Sequence, residues 1–233
     1  MLMKFAVAAL AISLPLSAAA PEQDVQVTTT QRLDFPSSGT IQVNASCGQL
    51  NIEGWDQPTV EVTVTRSAFS DDKDKNHANQ SLNAMRINTE RQGDNQLTVS
   101  TAFPPGLYFP RPFQCKGGAS LDYRIKAPRH ARLVLHHKNG DIVVYGMGGE
   151  IEAKIGAGTI ALQLPDGQYA IDAKCKVGGV DSDFAGTYRG RYLIKEGFQE
   201  AGASSARKIY LRVGFGRIEI QKVAAETRPP AVP

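Results

Sequence analysis

Asp181 and Asp183 stand one residue apart in the stretch VDSDF. On a strand they would share a face, with Cα atoms ~6.6 Å apart. Carboxylates at about that separation serve inverting glycosidases, so a carbohydrate-active enzyme on a β-helix is one reading of the pair. No further carboxylate or aromatic platform adjoins them in sequence, and a solvated turn is the simpler reading. Histidines 130, 136 and 137 could suggest a metal. Neighbours on a strand point to opposite faces, which separates His136 from His137. His130 would lie ~20 Å from His136 along an extended chain. That spacing fails the geometry of a shared ion, so neither a metal nor another cofactor is expected. The chain carries no Gly-x-Ser-x-Gly, no phosphate loop, no Cys-x-x-Cys and no His/Cys nucleophile setting. No catalytic residues are assigned.

A better candidate for recognition is FPPGLYFPRPF, residues 103–113. Its prolines favour an extended, stiff backbone. Tyr108, Phe109 and Phe113 supply apolar area and Arg111 supplies charge, a combination common in binding hot spots. The same segment could instead cover an open edge of a sheet. Trp55, in EGWDQP, reads as a packed residue rather than a sugar platform. Cysteines 47, 115 and 175 predict one disulfide and one free thiol in an oxidising compartment, with the pairing open. Cys47 keeps phase with Ile41, Val43 and Ala45. Cys175 keeps phase with Ile171, Ala173 and Val177. Both cysteines therefore read as core residues.

Compartment is read from residues 1–19. Lys4 provides a positive start, residues 5–14 form an apolar run too short to span a bilayer, and Ser17-Ala18-Ala19 offers a cleavage site. Export with cleavage after Ala19 is expected, leaving no membrane span and placing the protein in the periplasm, outside the cell or at the cell surface. The formal charge of +3 over 233 residues lacks the clustered basic composition of a nucleic-acid binder. Residues 224–233 are Pro-rich and read as a disordered tail.

Period-two alternation fills most of the remaining chain. Val60, Val62 and Val64 alternate with Thr59, Glu61 and Thr63; Leu121, Tyr123 and Ile125 alternate with Asp122, Arg124 and Lys126. Such patterns predict strands with one buried and one wet face. MRINTERQGDNQLTVST predicts two strands around Gly93-Asp94-Asn95. Residues 71–84 are polar and predict a short surface helix or loop, and residues 186–208 form a second polar stretch. Superimposed on the alternation is a clock. Gly-x-Ile recurs at Gly140, Gly149 and Gly158, nine residues apart, and Gly167 continues the count. Gly39 and Gly48 repeat the interval, and Gly216 opens a last copy. Fixed-period similarity marks a repeat architecture. Glycine suits its corners, since it accepts positive φ and close backbone approach. A single-domain β-solenoid over residues 20–223 is expected, with coils of two or three units. The alternative is an antiparallel meander or sandwich with a glycine in each hairpin.

GTIQVNASCGQLNIEGWDQPTVEVTVTRSA, APRHARLVLHHKNGDIVVYGMGGEIEAKIGAGTIALQL and VGGVDSDFAG resemble the bacterial putative-adhesin domain family. The resemblance spans residues 33–222 and implies an exported β-solenoid that brings no catalytic residues. It implies a non-enzymatic binding or structural module of the cell envelope, with a glycan or an envelope protein as partner. The insert at 103–113 and the cysteines depart from the family pattern. A periplasmic partner of a neighbouring envelope protein, docking through that insert, is a further possibility.

Overall fold

The computed structural model describes residues 25–68, 82–83, 85–102, 119–191, 194–202 and 206–223. The expected signal segment, the tail and the insert with Tyr108, Phe109, Arg111 and Phe113 lie outside them. So do Cys115 and all of residues 71–84 except Leu82 and Asn83.

The fold is all-β. Among the described residues twelve strands form one mixed, open sheet. They are β1 (Val25–Asp34), β2 (Thr40–Trp55), β3 (Thr59–Ala68), β4 (Arg86–Gln92), β5 (Gln96–Ala102), β6 (Ala119–Pro128), β7 (Arg132–Tyr145), β8 (Ile151–Pro165), β9 (Tyr169–Ser182), β10 (Thr187–Arg191), β11 (Ile194–Glu200) and β12 (Arg207–Val223). β4 and β5 are the expected antiparallel pair around Gly93. The centre differs from a meander. β2, β7, β8, β12 and β9 lie side by side in that order, and every pairing among them is parallel. Leu133 sits beside Ile151 and Gly140 beside Gly158, so the chain advances by twice the nine-residue interval between β7 and β8. The last strand, β12, fills the place between β8 and β9.

Each of these five strands turns at one glycine. Gly48, Gly140, Gly158, Gly216 and Gly178 form an unbroken row across the sheet, all at positive φ. The turn reverses the alternation. Ile155 and Ile160 are both buried although their spacing is odd, because the backbone between them turns the second half of β8 back toward the same core. Each strand therefore has two arms. The first arm comprises residues 40–47, 132–139, 151–157, 207–215 and 169–177. The second comprises 49–55, 141–145, 159–165, 217–223 and 179–182. Leu133, Ile151 and Ile209 from the first arm and Ile142, Ile160 and Ile218 from the second join a single hydrophobic core. Full burial of such aliphatic side chains stabilises by about 1.5–3 kcal/mol each.

The two halves of the nine-residue clock thus do different work. Gly158 belongs to the corner row, at φ 132°. Gly149 lies in the connection between β7 and β8, where an added Cβ would fall 2.2 Å from the Ala131 carbonyl oxygen. Two sequence readings need correction, and a third segment gains strands. Val177 keeps phase with Cys175 on paper, but it stands beside the corner and is 41% exposed. Asp183 falls beyond β9, which ends at Ser182, so it shares no strand face with Asp181. The polar stretch 186–208 contains two strands, β10 and β11, which extend the sheet beyond β9.

Candidate functional site

The outer face of the first arm carries a row of polar side chains, three of them cations. Asn44, His136, Lys154, Arg212 and Lys174 occupy neighbouring strands in direct register. One row nearer the strand starts are Val134, Glu152, Tyr210 and Asp172, in register on the same strands. The two carboxylates brace the cations. Lys154 Nζ donates to Glu152 at 2.7 Å, and Arg212 Nη2 donates to Asp172 at 2.7 Å. Lys174 Nζ lies 3.6 Å from Asp172. Arg212 stacks on the Tyr210 ring, 3.6 Å from its centroid. The Lys154 hydrogen bond is the main influence holding the Glu152 carboxyl below the ordinary carboxylate range. Burial alone would raise Asp172, but the hydrogen bond and charge of Arg212, aided by Lys174, outweigh it and lower the carboxyl.

One row nearer the corner, Lys138 and Lys176 flank Gly156 and Gly214. The register of the adjoining residues places Lys138 on β7, Gly156 on β8, Gly214 on β12 and Lys176 on β9 opposite one another. The result is a recess of ≈ 720 Å³. Lys138, Lys154, Lys176 and Arg212 line it, with Asn44, Ser46, Ser100 and Thr101 along the β2 and β5 side. Among the described residues no carboxylate lines it. Its geometry suits the binding of an anion by cationic and hydroxyl donors.

The histidines do not converge. His136 faces the recess, whereas His137 is 4% exposed and turned inward, as adjacency on a strand requires. His137 Nε2 lies 2.9 Å from the Gly48 carbonyl oxygen. Burial lowers its pKa, against the opposing pull of the Gly48 and Ala45 carbonyls and of Asp141. A neutral ring donating to Gly48 braces the corner. His130 lines a separate recess of ≈ 410 Å³ at the strand connections, with Asp56, Arg129 and Arg207. Among the described residues no group of three histidine, cysteine or acidic side chains is placed to hold a metal.

The carboxylate pair is also split. Asp181 is exposed and stands beside Glu219. Asp183 accepts the Lys222 backbone N–H at 3.2 Å, while its own N–H donates to the Ile220 carbonyl at 2.9 Å. It ties the end of β9 to β12. Trp55 is packed, its Nε1–H donating to the Thr59 carbonyl at 2.7 Å. Arg32 and Lys126 lie over its ring, 5.4 and 5.8 Å from the centroid. Cys47 is disulfide-bonded. Cys175 is a free, buried thiol whose Sγ–H donates to the Gly216 carbonyl at 3.3 Å; burial is the chief cause that pushes its pKa up.

Sequence reasoning missed the recess. Its cations come from four separate stretches of chain, and Arg212 belongs to the last strand. Their outward phase was visible, but the order of strands that joins them was not.

No protein-family model matches the chain, and no curated protein matches it. Solved structures do resemble it, at low identity. One is a putative cell adhesion protein from Clostridium sporogenes, 13% identical, with 86% of this chain and all of the other covered at a TM-score of 0.48. A second is a putative adhesin from Parabacteroides merdae, 8% identical, covering 84% of this chain and 79% of the other at a TM-score of 0.32. A third, a putative lipid binding protein from Parabacteroides distasonis, is 10% identical and covers 84% and 96%, at a TM-score of 0.24.

Proposed function

We propose that the chain is an exported, adhesin-like binding module of the cell envelope, built as a single-domain β-solenoid over residues 20–223, and not an enzyme. The observation that carries this reading is the recess on the first arm. Cationic and hydroxyl groups converge there on six parallel strands, a rigid support for ligand contacts. The parallel register and the glycine row support the solenoid description, with Gly140 and Gly158 separated by twice the nine-residue interval. The chemistry of the neighbouring carboxylates supports binding over hydrolysis. A glycosidase acid needs a raised pKa. Glu152 and Asp172 are both lowered by their cation partners, and Asp183 is engaged by backbone. The sequence of residues 1–19 supports export, with cleavage after Ala19. No helix among the described residues is long and apolar enough to cross a membrane.

The test is a glycan and envelope-extract binding screen with the purified chain, run beside an assay for glycan turnover, and N-terminal sequencing of the native protein. Binding without turnover, and a mature start at Ala20, are expected. Turnover lost in an Asp181→Asn, Asp183→Asn double variant would replace the module with a glycosidase. A native protein that begins at Met1 would end the export reading.

A further inference from the structure

We infer that the first-arm recess binds a linear acidic polysaccharide laid across the strands. This names the ligand class of the site above and rests on the binding-module reading. Charge is the first argument. Lys138, Lys154, Lys176 and Arg212 line the recess, and among the described residues no carboxylate does. Lys154 stands directly opposite Arg212, and Arg212 opposite Lys174. Like charges facing each other across strands destabilise a sheet. Glu152 and Asp172 offset that repulsion for one row only. No carboxylate among the described residues forms an ion pair with Lys138 or Lys176. An anionic partner would satisfy both.

Shape is the second argument. Lys138 and Lys176 sit on β7 and β9, three strand spacings apart, or roughly 14 Å at ~4.8 Å each. The strands between them present Gly156 and Gly214 in the same row. An added Cβ would fall 2.6 Å from the Lys138 carbonyl oxygen at the first and 2.3 Å from the Gly156 carbonyl oxygen at the second. The floor between the two lysines therefore has no side chain and cannot readily acquire one. A chain molecule can lie there with charged groups reaching a lysine at either end. Asn44, Ser46 and Ser100 along one side supply neutral donors and acceptors of the kind that sugar hydroxyls pair with, whereas the Thr101 hydroxyl is engaged by the buried Tyr123.

The alternatives fit less well. Single-stranded nucleic acid needs aromatic platforms for its bases, and among the described residues the lining holds no Phe, Tyr or Trp. A bilayer is flat, whereas these cations line a concavity.

The experiment measures binding of the purified full chain to polygalacturonate, with neutral dextran and phosphatidylglycerol vesicles as comparison probes, at low and raised salt. A Lys138→Gln, Lys176→Gln double variant is compared with Lys208→Gln, which removes an exposed cation outside the recess. The chain should bind polygalacturonate and not dextran, and added salt should weaken binding. The double variant should bind roughly tenfold more weakly, as lost charge-assisted contacts imply, while Lys208→Gln stays close to wild type. All three substituted lysines are exposed, so thermal melts should remain unchanged. A cooperatively melting chain that ignores polygalacturonate, a double variant that binds as well as wild type, or capture by vesicles but not by the soluble polymer would each overturn the inference. Capture of a neutral glycan instead would overturn this ligand and leave the module reading standing. Polymer that is bound and also shortened would support the ligand and overturn the non-enzymatic reading.

Discussion

The two arms of the central strands are alike inside and opposite outside. Leu133, Ile151 and Ile209 line the core from the first arm; Ile142, Ile160 and Ile218 line it from the second. The outward residues separate by charge. On the first arm Lys138, Lys154, Lys174, Lys176 and Arg212 outnumber Glu152 and Asp172. On the second arm Glu53, Asp141, Asp181 and Glu219 are set against two cations, Arg217 and Lys222. Arg217 is itself paired to Glu219 at 3.5 Å. Both arms belong to the same strands and share one glycine row. The core needs aliphatic residues on both arms and makes no demand on the sign of the outer charge. The difference therefore points to what each face meets in solution.

The strongest way to break the comparison is to break the corner. A Cβ on Gly158 would fall 1.6 Å from the Gly140 carbonyl oxygen, and φ is +132°. Gly158→Val should cost more than about 4 kcal/mol, at the extreme of single substitutions, or prevent folding. Gly93→Ala is the control. Its φ is +63° but nothing lies within 4 Å of the added methyl, so the expected cost is that of a left-handed alanine, ~1–2 kcal/mol. Denaturant melts that rank the two equally would refute the steric role of the row.

The inner likeness is tested by truncating one residue in each arm. Ile151 is 1% exposed and Ile160 fully buried. Ile151→Ala and Ile160→Ala should each cost ~2–5 kcal/mol through lost burial and a residual cavity. A cost confined to one arm would mean that the two do not share a core. The cysteines give a comparable contrast within the first arm. Cys47→Ala should cost ~2–5 kcal/mol under oxidising conditions, as loss of a disulfide does in small secreted domains. After denaturation without reductant a single thiol should titrate, and it should map to Cys175. Labelling at Cys47 would show that the bond does not form.

His137 joins the arms electrostatically. Its folded pKa lies below 6.5, so the unfolded chain holds more protons in the window below that value. Its contribution is fully present above pH 6.5 and is lost as pH falls toward the folded pKa. His137→Gln should flatten that part of the stability curve when urea midpoints are compared across pH. An unchanged slope would mean that the ring is already charged in the fold.

Much of the inner pattern was legible because burial imposes period two. The readings at Ile151, Ile160 and Ile171 inward, and at Lys154 and Lys174 outward, match the structure. The split of His136 from His137 followed from the same rule. Failures cluster where the period breaks. Val177 was placed inward because nothing in its own type announces that Gly178 turns the strand. Asp181 and Asp183 looked like a pair because the end of β9 is set by Asp183 binding the Lys222 N–H, a contact between distant parts of the chain. The cationic recess was hidden for the same reason. It exists because β12 lies between β8 and β9, an order that alternation cannot encode. Residues 186–208 were legible only as a polar stretch, because β10 and β11 lie at the sheet's edge and carry little apolar periodicity.

The smallest expected effect sharpens the comparison most. Lys154→Ala removes a side chain that is 46% exposed and bonded to Glu152, whose carboxylate is 29% exposed. An ion pair so placed is worth ~0.2–1 kcal/mol at best. The substitution also relieves repulsion between Lys154 and the directly opposed Arg212. The two effects have opposite signs and similar size, so the net change in stability should stay within ~0.5 kcal/mol. Raising the salt should move wild type and variant together, because screening weakens the attraction and the repulsion alike. If Lys154→Ala destabilises as much as Ile160→Ala, the outer face of the first arm is part of what holds the fold. If it stabilises clearly at low salt, repulsion dominates, and the charge on this face is held at a cost to stability that binding must explain.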